Sequence, residues 1–394
     1  MHQEIKNYKV YRMSLTTLSP IFIGSGEELN KSMYVYNNRE IMIIDERKLI
    51  KELLLRKGLY ESFLNECYSG NLNLTNFLER HLNGYKDMDI YKYKIMSYSD
   101  VKTNSKFNNI NTFIKSSNGK PYIPGSSIKG AIRTAIIANE IYNNKEKYIK
   151  LFKDRNTIIN LEDLENKVLT DIFSNFSFKF NNEEDKSEVP PDILFKFLYI
   201  SDSNETSLDN LFIGKQYDFS TKGNKLNELP IFMEFIKPET EFNFTISIDR
   251  SVIDYFDIKN IIRSLANYFL QYIYCIQTIQ NLFLNFSKNN VEIKYKPCCK
   301  LERYSPNIFI GGHNGYLTKN ILYSICSKLR REDNVIIDKE EVVNIIKHYF
   351  NINIKKHKHL LDYNMSPRTL KLTKYNETLF NIGICNIKVE EELC

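Results

Sequence analysis

Between residues 194 and 249 four runs rich in β-branched and aromatic residues follow one another: "LFKFLYIS", "NLFIGKQYDF", "LPIFMEFI" and "EFNFTISID". Short polar turns separate them, so the runs predict a β-meander. Helical patterns stand on both sides, "LEDLENKVLTDIF" before and "DIKNIIRSLANYFLQYIYCIQTIQNLFL" after. Further strands are predicted from about Tyr8 to Leu18, in "SPRTLKLTK" and in "FNIGICNIKV", with a hairpin in "MYVYNNREIMIID" that turns at Asn37-Asn38. Strands flank helices twice without strict βαβ alternation. The fold class is therefore α+β, with helices on one face of an antiparallel sheet. The ferredoxin-like βαββαβ unit is the commonest such arrangement, and RNA-recognition modules use the same sheet.

The chain has 394 residues, 42% of them hydrophobic. That favours a packed core over disorder, and the length favours two domains. We place them at 1–250, carrying a basic arm at about 84–118 and an acidic helical stretch at 154–192, and at 251–394, carrying a Gly-rich loop. The net charge is +6, unevenly spread. Residues 86–133 hold nine Lys or Arg against three acids, and residues 347–374 hold seven against one. Residues 154–192 hold ten acids against four bases. Such basic patches suit a polyanionic partner on one face. None of the seven cysteines forms a C-x-x-C pair. No window is apolar enough to span a bilayer, and the N-terminal segment lacks the apolar run of a signal peptide. These features predict a cytoplasmic protein with ordinary thiols and no membrane partner.

The segment "KPYIPGSSIKGAIRTAII", from Lys120 to Ile137, runs a Pro-Gly-Ser turn into an alanine-rich helix. Ser126 or Ser127 is placed to cap it. At about 100° per residue, Ile128, Ala131, Ile132, Ala135 and Ile136 share one face, while Ser126, Lys129 and Arg133 share another. Free N–H groups, a positive dipole end and two cations on one side make a phosphate site. The plain alternative is a capped amphipathic helix with a wet basic face. A second cluster, "GGHNGYLTKN", repeats the design: a Gly turn, then a predicted helix with Lys319 in its first turn. Neither cluster matches a dinucleotide or P-loop fingerprint.

"YIPGSSIKGAIRTA" resembles the signature of the RAMP superfamily, the repeat-associated RNA-binding proteins of CRISPR systems. "SLTTLSPIFIGSGEE" resembles its first strand and glycine turn, and "FIGGHNGYLTKNIL" its C-terminal Gly-rich loop. Together with "YISDS" and "MSPRTLKLT", these most resemble the family of fifth subunits of the type III-A Csm effector. The resemblance implies two RRM-like modules with helical insertions. It also implies a non-catalytic subunit that caps one end of the effector and holds the 3′ part of the guide RNA. Such a subunit supports 3′-end maturation by recruiting host nucleases, and its partners are guide RNA and other Csm backbone subunits. Carried onto this chain, the RNA-contacting positions are Gly24, Ser25 and Gly26, then Ser126, Ser127, Lys129 and Arg133. Gly311, Gly312, His313, Gly315 and Lys319 form the second loop, and Arg368 and Lys371 are added on charge alone.

Gripping a backbone needs donors and cations but no base readout. Tyr91, Tyr93 and Tyr98 in the basic arm are candidates to stack bases, with partial burial as the alternative reading. The competing function is a metal-independent endoribonuclease with His313 as general acid or base. A third reading is a generic basic interaction protein. Asp45 and Asp202 are the acids to consider for metal-assisted cleavage, though neither lies in a catalytic loop motif and Asp202 reads more simply as a turn cap. The pair in "KHKH", His357 and His359, lacks further ligands. No metal or other cofactor is expected.

Overall fold

The four runs between residues 194 and 249 are strands, but they do not lie side by side. The protein is seen here as a computed structural model describing residues 7–70, 72–98, 109–148, 161–174, 193–220, 225–253, 257–283, 293–294, 306–321, 324, 327–329, 335–337 and 369–393. The chain opens with β1 (Tyr8–Thr17) and β2 (Gly24–Leu29), then the hairpin of β3 (Tyr34–Asn37) and β4 (Glu40–Ile44). Three helices follow, α1 (Glu46–Leu54), α2 (Leu59–Tyr68) and α3 (Leu74–His81), before β5 (Tyr91–Met96) and β6 (Ile110–Phe113). The long helix α4 (Gly125–Asn143) precedes α5 (Leu161–Ser174), the single turn α6 (Ile193–Lys196) and β7 (Leu198–Ile200). Next come β8 (Leu211–Ser220), β9 (Lys225–Ile236), β10 (Glu241–Asp249) and α7 (Ile258–Phe283). Four short strands follow: β11 (Ile293–Lys294), β12 (Ile308–Phe309), β13 (Ser327–Leu329) and β14 (Val335–Ile337). The last three are β15 (Thr369–Tyr375), β16 (Thr378–Asn381) and β17 (Ile384–Glu392).

A five-stranded sheet has the order β12-β17-β1-β10-β7, with every pair antiparallel. A seven-stranded sheet has the order β11-β16-β15-β8-β9-β6-β2, with β6 parallel to β9 and β11 parallel to β16. The expected meander is thus divided: β7 and β10 enter the first sheet, β8 and β9 the second. The chain changes sheet at residues 237–240. Glu239 takes φ +66° there, Thr17 Oγ1 donates to Lys237 O at 2.7 Å, and Thr240 N donates to Thr17 Oγ1 at 2.9 Å.

Within the first sheet the elements run β1, α4, β7, β10, α7, β17 along the chain. Strand β10 alternates strictly, with Phe242, Phe244, Ile246 and Ile248 turned inward. They join Met13 and Leu15 of β1, Ile128, Ile132 and Ala135 of α4, and Leu265 of α7 in one cluster. The same cluster continues to Phe212, Phe232, Phe235 and Leu372, so the two sheets share a core. Helices α4 and α7 pack on each other. Both sheets take strands from either side of residue 250.

A smaller lobe is inserted against the body, and one face of its sheet, with Tyr34, Ile41, Ile43 and Ile95, joins the main core. Strands β3, β4 and β5 form their own sheet, and Leu49, Leu53, Leu74, Phe77 and Leu78 of α1 and α3 pack with Val35 and Met42 in a second core. The lobe is inserted between β2 and β6, where Leu29 pairs with Ile110. Its hairpin turns at Asn38-Arg39, with φ of +44° and +73°, one residue beyond the expected place. Both residues have the positive φ that a two-residue type I′ loop requires.

Residues 84–118 are not simply an extended arm, since β5 and β6 lie within them. Their tyrosines pack. Tyr91 Oη donates to Tyr85 O at 2.8 Å, Tyr93 Oη donates to Glu234 Oε1 at 2.8 Å, and the Tyr98 ring meets Phe212 and Tyr375 edge-on. This corrects the base-stacking role considered for them. Of the helix expected after the second Gly cluster, the described residues show a 3-10 turn at Tyr316–Lys319 and a helical Ser324. Among the described residues no helix is long and apolar enough to cross a membrane.

Candidate nucleic-acid interface

Helix α4 starts where β7 ends, and the fit is tight. A Cβ on Gly125 would lie 2.2 Å from Ile200 O, so only glycine allows this approach. The N-cap is Pro124 rather than either serine, and Gly125 N donates to Asp202 Oδ1 at 2.8 Å. The carboxylate of the "SDS" strand end therefore occupies part of the positive helix terminus that the sequence reading assigns to phosphate. Asp45, the other acid weighed for catalysis, accepts from Arg47 N and Lys48 N as the cap of α1.

The first glycine turn and the Gly-rich loop are joined backbone to backbone. Gly312 N donates to Phe22 O at 2.8 Å, Ile310 N to Gly383 O at 2.8 Å, and Gly383 N to Pro20 O at 2.9 Å. Gly311 has φ +91°, and a Cβ there would meet Phe22 O at 2.1 Å. Three distant segments thus close on one another only because glycine stands at the crossing. Gly24 and Gly26 belong to the bulged start of β2 rather than to a free turn. Ser25 Oγ is engaged with Thr112 Oγ1 and Glu27 N.

Together these segments frame a cleft of about 360 Å³. Helix α4 contributes Ser126, Ser127, Gly130, Ala131 and Thr134, and α7 contributes Leu265 and Tyr268. Ile308, Phe309, Gly311, Gly312, Thr318 and Lys319 close it from the Gly-rich side, and Ile23 and Gly24 from the first loop. Six residues expected at the interface, Gly24, Ser126, Ser127, Gly311, Gly312 and Lys319, therefore meet at one place. Lys129 and Arg133 are not among the lining residues, since their side of α4 is turned off the Gly130–Thr134 stripe.

The cations differ in what holds them. Arg133 is paired with Glu165 of α5 at 2.6 Å, and Lys371 with Asp218 of β8 at 2.6 Å. Lys129 and Lys319 have no carboxylate partner among the described residues, and partial desolvation lowers the pKa of both ammonium groups. An unpaired, partly desolvated ammonium is a ready partner for a phosphate oxygen. Arg368 lies outside the described residues, as do His357 and His359.

His313 sits beside the cleft with φ +53° and its ring edge-on to Phe22 at 5.4 Å. Its Nδ1 is 2.8 Å from Gln216 Oε1. Gln216 Nε2 donates to Asp218 Oδ1 at 3.1 Å, and Lys371 Nζ donates to both oxygens of Asp218. Gly315 lies against Lys371 Cγ. Partial burial, then the charges of Lys371 and Lys319, lower the imidazole pKa. Gln216 and Asp218 were not identified from the sequence. They stand two apart on β8, where Gln216 is buried at an irregularity between Lys215 and Tyr217. Two polar residues at strand spacing, one destined for the interior, were the available signal.

A model of the RAMP superfamily matches residues 14–312. The chain is 34% identical over 290 residues to the CRISPR system Cms protein Csm5 of Methanocaldococcus jannaschii, covering 71% of this chain and 62% of that one. It is 28% identical over 255 residues to the Csm5 of Streptococcus thermophilus, covering 61% and 64%. The chain thus spans a little under two thirds of either relative's length. The Csm5 of Mycobacterium tuberculosis is 21% identical over 97% of this chain and 98% of its own length. Two solved structures share the fold. A chain in the cryo-EM structure of a Csm–crRNA–target RNA ternary complex of a type III-A CRISPR–Cas system has a TM-score of 0.62 at 19% identity, over 96% of this chain and 100% of that one. The crystal structure of T. onnurineus Csm5 has a TM-score of 0.59 at 18% identity, over 95% and 99%. With the signature segment at the start of α4, the Gly-rich loop at the cleft and a family match over most of its length, this chain belongs to the RAMP superfamily.

Proposed function

We propose that this protein is a non-catalytic guide-RNA-binding subunit of a type III-A CRISPR effector, which caps one end of the assembly and holds the 3′ part of the guide. The observation that carries the reading is the meeting of three sequence-distant motifs around one cleft that carries an unpaired lysine. The antiparallel order β17-β1-β10-β7 around α4 and α7 supports an RRM-like module as the scaffold. Likeness to a chain of a Csm–crRNA–target RNA complex supports guide RNA and other Csm subunits as partners. Capping by Asp45 and Asp202 favours holding over metal-assisted cutting, because both acids have helix amides to serve. In this reading, nucleases that trim the 3′ end dock on the subunit rather than residing in it.

The test is a titration of the full chain with labelled single-stranded guide RNA at several salt concentrations. Each phosphate neutralised contributes about −0.7 to the log–log slope, so six contacts give roughly −4. Lys319→Ala is expected to weaken binding and to flatten the slope by about 0.7. An unchanged slope in that variant would move the RNA path away from the cleft.

A further inference from the structure

The imidazole of His313 is held in one tautomer by a chain of charges and hydrogen bonds. Lys371 Nζ contacts both oxygens of Asp218, at 2.8 and 2.6 Å, and keeps that carboxylate in place. A carboxylate only accepts, so the group that Gln216 turns toward Asp218, at 3.1 Å, is its amide N–H. Its carbonyl oxygen must then face His313. A carbonyl also only accepts, so the ring nitrogen 2.8 Å away, Nδ1, carries the proton. Nε2 is left as an acceptor, and among the described residues nothing donates to it. Partial burial, then the charges of Lys371 and Lys319, oppose a second proton on the ring.

An acceptor on the same loop as Lys319, which has no carboxylate partner among the described residues, does not suit a phosphate alone, which has no proton to give. It suits a ligand that offers an anion and a hydroxyl close together. A ribonucleotide offers both, whereas a deoxyribonucleotide lacks the hydroxyl. We propose that His313 Nε2 accepts a hydrogen bond from a ribose 2′-hydroxyl while Lys319 holds the adjoining phosphate, so this site selects RNA over DNA. The inference rests on the RNA-holding function proposed above and adds to it the group that is read. Gln216 and Asp218 are positioning residues: they touch no RNA and act by fixing the ring.

The experiment compares binding of the full chain to single-stranded RNA, to DNA of the same sequence and to 2′-O-methyl RNA at one salt concentration. The methylated sugar keeps an acceptor but has no proton to donate. RNA should be preferred over both by about threefold to tenfold, the range of one net hydrogen bond. His313→Asn should abolish the preference while folding normally, because asparagine tolerates a left-handed backbone. Gln216→Leu should reduce it, and nitrogen NMR of the ring should show loss of the pure Nδ1–H tautomer, which a merely structural role would leave in place. Lys319→Ala should weaken RNA and DNA alike and keep their ratio. Equal binding of RNA and DNA by the native chain would overturn the inference and leave RNA holding intact. A preference that survives His313→Asn would overturn it too. Cut RNA with cyclic phosphate ends, lost in His313→Asn, would make the imidazole a base rather than a reader. No binding of either nucleic acid would overturn both the inference and the function it rests on.

Discussion

Neighbouring glycines in the Gly-rich loop have different uses. Gly311 is strained for any other residue, with φ +91° and Phe22 O where a Cβ would stand, whereas Gly312 has nothing nearer than 3.9 Å. Gly311→Ala is therefore expected to lower stability by about 1–3 kcal/mol. A shift of the urea midpoint at constant slope checks this. Gly312→Ala should leave the midpoint in place, so any loss of RNA binding there belongs to the cleft. Both glycines were visible in the sequence as one turn, yet the atom that separates them, Phe22 O, lies in a loop almost at the other end of the chain. Asp202 is a similar case. Its capping role was foreseen, but its partner, Gly125 of the signature segment, was not.

At the scale of elements, α5 explains part of the acidic stretch. Glu165 pairs with Arg133 and Asp171 with Lys147, so this helix lies along the cationic side of α4. Glu165→Gln removes one negative charge from this side of α4 and should tighten RNA binding, read as a lower dissociation constant at low salt. A dissociation constant identical to that of the native chain would show that RNA does not pass this side of α4. Most elements were legible because their periods are strong: β1, α4, α5 and α7 stand close to where the pattern puts them. The meander was not, because local pattern identifies strands but not their partners. The corner at residues 237–240 depends on Thr17, which no local window includes. The segment after Gly315 begins as a 3-10 turn, and its Thr318 and Asn320 are buried polar residues, a poor inner face for a regular amphipathic turn.

At the scale of the molecule, the lobe between β2 and β6 has its own core and enters through two adjacent residues, Leu29 and Ile110. Replacing residues 30–109 by an Asn-Gly turn should destabilise the body as well, because it uncovers the core face that Tyr34, Ile41, Ile43 and Ile95 cover. The loss should exceed the roughly 2–5 kcal/mol of one large core truncation, and buried Glu234 also loses the Tyr93 hydroxyl while keeping Lys115 and the Phe113 amide, which a urea midpoint checks. Loss of RNA binding with the fold intact would assign the lobe to the interface. The lobe was hidden in the sequence because its strands resemble those of the body. The pairing of β1 with β17 has a different consequence. Strand β1 finds its β17 partner across most of the sequence, and the bonds of Gly312 to Phe22 and of Gly383 to Pro20 bridge a similar separation. Such long-range closure is slow, and it leaves an edge of β1 open throughout synthesis. The glycine side of the cleft is therefore braced by the strand that folding brings to it from farthest away, and a truncation before Gly383 would unlock it without touching a lining residue.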